Sequence, residues 1–198
     1  MFNNDEMKRL KKCSHILRIM MDIIYRAMFI VACLSLIAAI AAIFMPDSFF
    51  TMYSIGTGKL EFIISSLKFD VTEAILGISM KDICITILFI AFSIILLIVF
   101  GARELARILR SVDNDTPFKK ENADRIRAIG MILILSSFLV PAYDYIPAIM
   151  MMNLLKIKDI SLNYSVNISL ALAGILMFIL SGIFRYGSYL QDEYDGTV

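Results

Sequence analysis

The chain predicts an all-α membrane protein: a four-helix transmembrane bundle carrying a small extracellular β-sheet built from its 1–2 and 3–4 loops. Three observations carry that expectation. The runs Ala27–Met45, Ile83–Ala102, Ala128–Tyr143 and Ile168–Phe184 contain no Asp, Glu, Lys or Arg. Each approaches the ~20 apolar residues a helix needs to cross a bilayer core. Of the 198 residues, 59% are hydrophobic, against roughly 45–50% in soluble domains, and the mean hydropathy is +0.78. The first apolar run is followed by no small-residue cleavage site, so it is expected to stay as a helix.

The distribution of basic residues predicts the orientation. Cytoplasmic loops accumulate Lys and Arg. With both termini inside, 14 of the 19 basic residues fall on cytoplasmic segments and 5 (Lys59, Lys68, Lys81, Lys156, Lys158) on outer ones. The expectation is a multi-pass cell-membrane protein, N-in and C-in.

Residues 1–26 read as a basic amphipathic helix. Leu10, Cys13, Leu17, Met20 and Ile24 recur at three- and four-residue steps, with Lys8, Lys11, Lys12, His15 and Arg18 around them. Two readings stand: an anchor on anionic lipid, or a docking surface for a soluble partner. In span 1 (27–45), Ser35, Ala38, Ala39, Ala41 and Ala42 are small residues that let helices approach closely.

The outer segment 46–82 holds a β-prone run, Phe49–Ile55, a turn at Gly56–Lys59 and a second run, Leu60–Val71. The pair predicts a β-hairpin. Span 2 (83–102) is expected to continue into 103–127, a cytoplasmic helical hairpin that turns at Asp113-Asn114-Asp115. Thr116 then reads as an N-cap with Pro117 at the first helical position. Glu121 and Arg125 stand four apart, a pairing distance on a helix.

Span 3 (128–150) is interrupted at its outer end by Pro141, Asp144 and Pro147. Two readings stand for Asp144. An acid at membrane depth marks a functional site; alternatively it sits at the outer headgroup boundary between Tyr143 and Tyr145 and hydrogen-bonds a kinked helix. In the loop 153–167 and just beyond, Ile160, Leu162, Tyr164, Val166 and Ile168 alternate with Ser161, Asn163, Ser165 and Asn167. That period of two predicts a strand joining the first-loop hairpin. Span 4 (168–184) carries Ala171, Ala173, Gly174, Ser181 and Gly182 as packing residues, and 185–198 is a short acidic cytoplasmic tail.

The two cytoplasmic segments carry a resemblance. Leu109–Gly130, LRSVDNDTPFKKENADRIRAIG, and Ile183–Val198, IFRYGSYLQDEYDGTV, look like the hallmark segments of the YoaS-type family of small four-span bacterial membrane proteins of unknown function. The matching positions are Pro117, Phe118, Glu121, Asn122, Arg125, Arg127 and Gly130, then Leu190, Gln191, Glu193, Asp195, Thr197 and Val198. Asp115 stands where the family commonly has Gly before Thr-Pro-Phe. The resemblance implies, by gene context, a partnership with a small helix-turn-helix DNA-binding regulator.

The functional expectation is a membrane sensor or regulator. Pro117, Phe118, Glu121, Asn122, Arg125, Arg127, Gln191, Glu193 and Asp195 form its candidate partner surface, and Asp144 with Pro141 and Pro147 its candidate intramembrane polar site. The alternative is a small transporter, channel or bacteriocin-immunity-type protein. An enzyme is not expected: the spans hold no Ser/His pair, paired acids or metal-ligand cluster. Cys13, Cys33 and Cys84 share no metal-type spacing, and His15 lies outside the spans. No cofactor and no direct nucleic-acid contact are expected. The lipid bilayer is one partner, and a homo-oligomer stays open.

Overall fold

The computed structural model describes residues 4–51, 60–64, 67–71, 79–114, 116–154 and 162–195. Helix α1 spans Asn4–Phe44, α2 Lys81–Asp113, α3 Lys120–Leu154 and α4 Ile168–Asp195. All four are long and apolar enough to cross a membrane. Exposed Ile30, Leu34, Ile37, Leu172, Leu176 and Ile183 give them apolar outer faces. Water would penalise such faces, whereas lipid tails match them; the chain is a multi-pass membrane protein.

Two compact units are distinguishable. The first comprises Met1–Val31, Ile95–Ser137 and Asn167–Val198; the second comprises Ala32–Ile94 and Phe138–Val166.

In the second unit, a short 3-10 turn, Asp47–Phe50, follows α1. Strands β1 (Leu60–Ile64) and β2 (Leu67–Val71) pair antiparallel, with Phe62 opposite Phe69. The sheet expected across loops 46–82 and 153–167 is not seen. The hairpin lies wholly within the run Leu60–Val71, and Phe49 and Phe50 belong to the 3-10 turn. The expected turn at 56–59 and residues 52–55 lie outside the described residues.

The expected third strand is absent over 162–167, and 155–161 lie outside the described residues. Contacts to α3 occupy the segment instead. Tyr164 donates its hydroxyl to Phe138 O at 2.6 Å, and its ring meets Tyr145 edge-on at 5.3 Å. Alternation in sequence marks alternate contacts, and here the contacts are to a helix rather than to a strand.

The second unit's core gathers Met80, Ile83 and Met151, with Cys84, Ile87, Met150 and Leu154 packed against them. Lys81 tethers the start of α2, donating to Met45 O at 2.8 Å and pairing with Asp47 at 3.3 Å. Ser35 donates to Leu88 O at 3.1 Å. Ala39 and Ala42 are buried as packing residues, whereas Ala38 and Ala41 face outward.

The expected interruption of span 3 does not occur, since α3 runs unbroken through Pro141 and Pro147. Proline lacks an N–H, so Pro141 cannot donate to the carbonyl four residues earlier, Ser137 O. In the first unit, Asn167 N–H donates to that carbonyl at 2.9 Å. Asn167 also caps α4, its Oδ1 accepting from Leu170 N–H at 3.2 Å.

Helix α4 packs through small residues at seven-residue steps: Gly174, Ser181 and Ser188 are all buried. A Cβ on Gly174 would lie 2.6 Å from Ile134 Cγ1 and 2.8 Å from Gly130 O. A Cβ on Gly130 would lie 2.9 Å from Gly174 O. The two glycines therefore set the close approach of α3 and α4. Gly182, expected to pack, faces open space.

We expect Gly174→Ala to destabilise the protein by about 1–3 kcal/mol through overpacking. Gly182→Ala should leave stability unchanged or slightly raised, because alanine favours helix. Thermal unfolding of the two variants in detergent checks this; equal midpoints would refute the glycine contact.

Candidate functional site

The most highly built polar region is the α2–α3 connection, in the first unit. Helix α2 ends at Asp113, and Asn114 N–H turns back to Arg110 O at 3.2 Å. Thr116 donates its backbone N–H to Ser111 O at 2.9 Å and its hydroxyl to the same oxygen at 3.3 Å. Helix α3 begins at Lys120, later than the expected Thr116 cap with Pro117 at the first helical position. Residues Pro117 and Phe118 form a turn instead. Thr116 is drawn toward the α2 terminus and so does not cap α3.

Asn122 closes this connection. It is 0% exposed. Its Nδ2 donates to Ser111 Oγ and, at 2.9 Å, to Pro117 O. Its Oδ1 accepts from Arg125 Nη1 at 2.8 Å. A buried amide with every polar atom engaged rigidifies what it touches. Arg125 also reaches Arg107 O at 3.3 Å, so one arm of its guanidinium is tied to α2. Arg125 therefore serves Asn122 and Arg107, and the expected Glu121–Arg125 ion pair is not found among the described residues.

Helix α1 meets the end of α2 through polar side chains. Buried Ser14 donates to Leu109 O at 3.1 Å. Arg18 Nη1 lies 2.9 Å from Asp113 Oδ2, and its Nη2 donates to His15 Nδ1 at 3.2 Å. A carboxylate at a helix C-terminus opposes the helix dipole, and a nearby cation offsets it. The Arg18–Asp113 contact is ionic in distance but lacks aligned hydrogen-bond geometry, since neither Asp113 oxygen counts a hydrogen bond. The stripe Cys13, Leu17 and Met20 is exposed; Ser14 and Arg18 make the contact with α2.

Helix α4 completes the unit. Ser181 donates to Ala123 O at 2.7 Å, and Arg185 pairs with Asp124 at 2.7 Å. The Phe118 ring sits 5.4 Å from that of Phe184. A Cβ on Gly187 would stand 3.2 Å from Phe118 Cδ1, so glycine makes room for the ring there.

Of the expected partner surface, Pro117, Phe118, Asn122 and Arg125 therefore belong to one connected structure. Asn122 is internal to it rather than presented for contact. Glu121 and Arg127 are exposed, as are Gln191 and Glu193 on α4. Asp195 is the last residue of that helix, its side chain outside the described set, as are Thr197 and Val198. The other candidate site lies on α3 in the second unit: Asp144 is half-buried and Pro147 fully buried. Sequence reasoning missed Ser14, the pairing of Arg18 with Asp113, and Ser111. Ser181, expected as a packing residue, is buried, and its hydrogen bond to α3 was not foreseen.

Asn122→Ala should cost about 1–3 kcal/mol, because it removes the side-chain donor to Pro117 O and leaves Arg125 with Arg107 O alone. Arg127→Ala, at an exposed position, should cost under about 0.5 kcal/mol. Chemical denaturation of the detergent-solubilised variants reads both; a neutral Asn122→Ala would show that the connection does not depend on this amide.

The comparisons with known proteins bear on the same segments. No curated protein and no solved structure matches the chain. A family model described as "Protein of unknown function (DUF2975)" matches residues 71–198. The match covers both hallmark segments and establishes an uncharacterised family; it does not establish the narrower YoaS-type membership. It includes Asn122, Gly130, Gly174 and Gly187, whose structural duties are given above. The chain belongs to the DUF2975 family.

Proposed function

We propose that this chain is an integral membrane regulator whose termini and α2–α3 connection lie in the cytoplasm, where they control a small helix-turn-helix DNA-binding protein. The observation that carries the reading is the extension of α4 beyond its apolar span to Asp195. That extension exposes Tyr186, Tyr189 and Leu190 beside Gln191, Asp192 and Glu193. DNA-binding proteins are basic where they meet phosphate, and an acidic, aromatic helix end complements such a surface. The identity of the partner class rests on the YoaS-type resemblance.

The orientation is supported by how charge divides between the two units. All 14 basic residues assigned to the cytoplasm fall within the first unit, and the other 5 within the second. Lys and Arg collect on the cytoplasmic side of membrane proteins, which favours the cytoplasm for the basic segments of the first unit.

Control of a partner requires two arrangements of the protein with different affinity for it. The candidate movable element is the stretch Pro141–Pro147, with Asp144 between them. At Pro141 a single donor, Asn167, replaces the missing helical hydrogen bond. The alternative function, a small transporter, channel or bacteriocin-immunity-type protein, would place Asp144 on the path of its ligand. It has one acidic residue to recommend it, whereas the regulator reading draws on an extended helix and a built connection.

Two experiments test the proposal. Reporter fusions should place residue 115 and both termini in the cytoplasm and residues 60 and 160 outside; residue 60 sharing a compartment with residue 115 would overturn the orientation. Tagged full-length protein purified from native membranes should co-purify a small DNA-binding protein, identified by mass spectrometry. A Glu193→Lys/Asp195→Lys variant should capture about tenfold less. Undiminished capture would remove α4 as the docking element.

A further inference from the structure

A pocket of about 440 Å³ opens against the α2–α3 connection, within the first unit. Ligand pockets for small molecules run roughly 300–1,000 Å³. Four cationic side chains line this one: Arg107 and Arg110 from α2, Lys119 from the turn and Arg125 from α3. Glu121 is the single carboxylate among its described lining residues. Glu104 offsets one more charge by pairing with Arg107 Nη1 at 2.7 Å. Among the described residues, Arg110, Lys119 and Glu121 make no ion pair.

The arginines are held rather than loose. Arg125 Nη1 is fixed by Asn122 Oδ1 and Arg107 O, which orients the guanidinium and leaves its remaining N–H groups without a partner among the described residues. Arg107 is fixed through Nη1 in the same way. An arginine fork oriented by one arm presents the other to an oxyanion, and planar forks match phosphate bidentately. Cations drawn together in a cleft also raise the local concentration of anions. Among the described residues no aromatic or apolar side chain lines the pocket, so a nucleobase would meet only guanidinium planes there. Glu121 and Asn114 instead supply hydrogen-bond acceptors, which suit the hydroxyls of a polyol.

We propose that this pocket binds a polyol phosphate, its phosphate group taken by Arg107, Arg110, Lys119 and Arg125 and its hydroxyls by Glu121 and Asn114. That chemistry belongs both to the phosphoglycerol headgroup of an anionic lipid and to a free glycerol or sugar phosphate. The inference shares Glu121 and Arg125 with the proposed partner surface but not the α4 extension, so its binding test can fail without the capture test failing, and the reverse.

The test uses full-length protein in neutral detergent at low ionic strength. Isothermal titration with sn-glycerol 3-phosphate reads the soluble source. A thermal-shift titration with phosphatidylglycerol against phosphatidylcholine reads the lipid source. We expect saturable binding in at least one arm, weakened about tenfold or more in Arg110→Gln/Lys119→Gln. Arg103→Gln, an exposed charge on α2 outside the pocket, should bind as the unmodified protein does. Both variants should unfold at the midpoint of the unmodified protein. Response in the first arm identifies a soluble phosphate ester; response to phosphatidylglycerol alone identifies a headgroup. Absence of binding in both arms overturns the proposal. So does a double variant that binds normally, or sulfate binding as tightly as the ester.

Discussion

In an apolar medium a backbone carbonyl or a polar side chain has no water to fall back on, and an unmet one costs several kcal/mol. The interhelical contacts of this protein follow from that constraint. Ser14 and Ser35 of α1 each donate to an α2 carbonyl, and Ser181 of α4 donates to an α3 carbonyl. Each carbonyl oxygen has two lone pairs, so it can accept a hydroxyl from the neighbouring helix and keep its own helical bond. A hydroxyl used this way satisfies itself, disturbs no ladder and fixes the register of two helices. Pro141 presents the harder version of the problem, because its ring removes a donor outright. The backbone N–H of Asn167 supplies the replacement, and its side-chain Oδ1 caps the next helix.

The same economy shapes the α2–α3 connection, where the constraint is a turn between two long helices. Ser111 O receives two bonds from Thr116, and Ser111 Oγ donates to Ile108 O while accepting from Asn122. Asn122 thereby couples the last turn of α2 to the first of α3, and Arg18 adds α1 through Asp113. Phe118 extends the linkage to α4, where Gly187 leaves space for its ring. One short segment thus ties together parts of all four helices. Within it, the side chains of Ser111, Thr116, Asn122 and Arg125 bond to one another or to nearby backbone, so change at these four positions should be least tolerated.

The four helices were legible in the sequence because the apolar runs are long and free of charge, a signal that depends on composition alone. The glycine at 130 was legible only as part of a family resemblance; its reason, the approach of Gly174, depends on α4 and cannot be read locally. Over its described residues 162–167, the expected strand shows how period-two alternation can mislead. Tyr164 and Asn167 do have distinct partners, but these are helix carbonyls, and nothing in the segment itself distinguishes a carbonyl on a helix from one on a strand. In the first loop the β-prone character of Leu60–Val71 was visible. Its division into two strands across residues 65 and 66 was not, since Gly56–Lys59 offered the stronger turn composition. In α1 the stripe members Cys13, Leu17 and Met20 are exposed, which is compatible with the expected anchor on lipid; the contact with α2 is made by the small polar Ser14, which apolar periodicity does not mark.

The basic residues of the first unit require two explanations, and the distinction matters for function. Orientation in a membrane needs only that Lys and Arg flank the spans on one side; their precise directions are irrelevant to it. Exposed Arg103 and Arg127 are adequately explained this way. Arg107 and Arg125 are not, because each is held by a specific acceptor, and Arg125 depends on an amide with no exposure at all. Fixing a guanidinium costs side-chain entropy, and orientation during insertion gives no return on it. Convergence of those two forks with Arg110 and Lys119 on one polar cavity also brings like charges together, which Glu104 and Glu121 compensate only in part. A bound anion relieves the repulsion and uses the orientation, so the geometry of this cluster is better explained by a ligand than by topology alone.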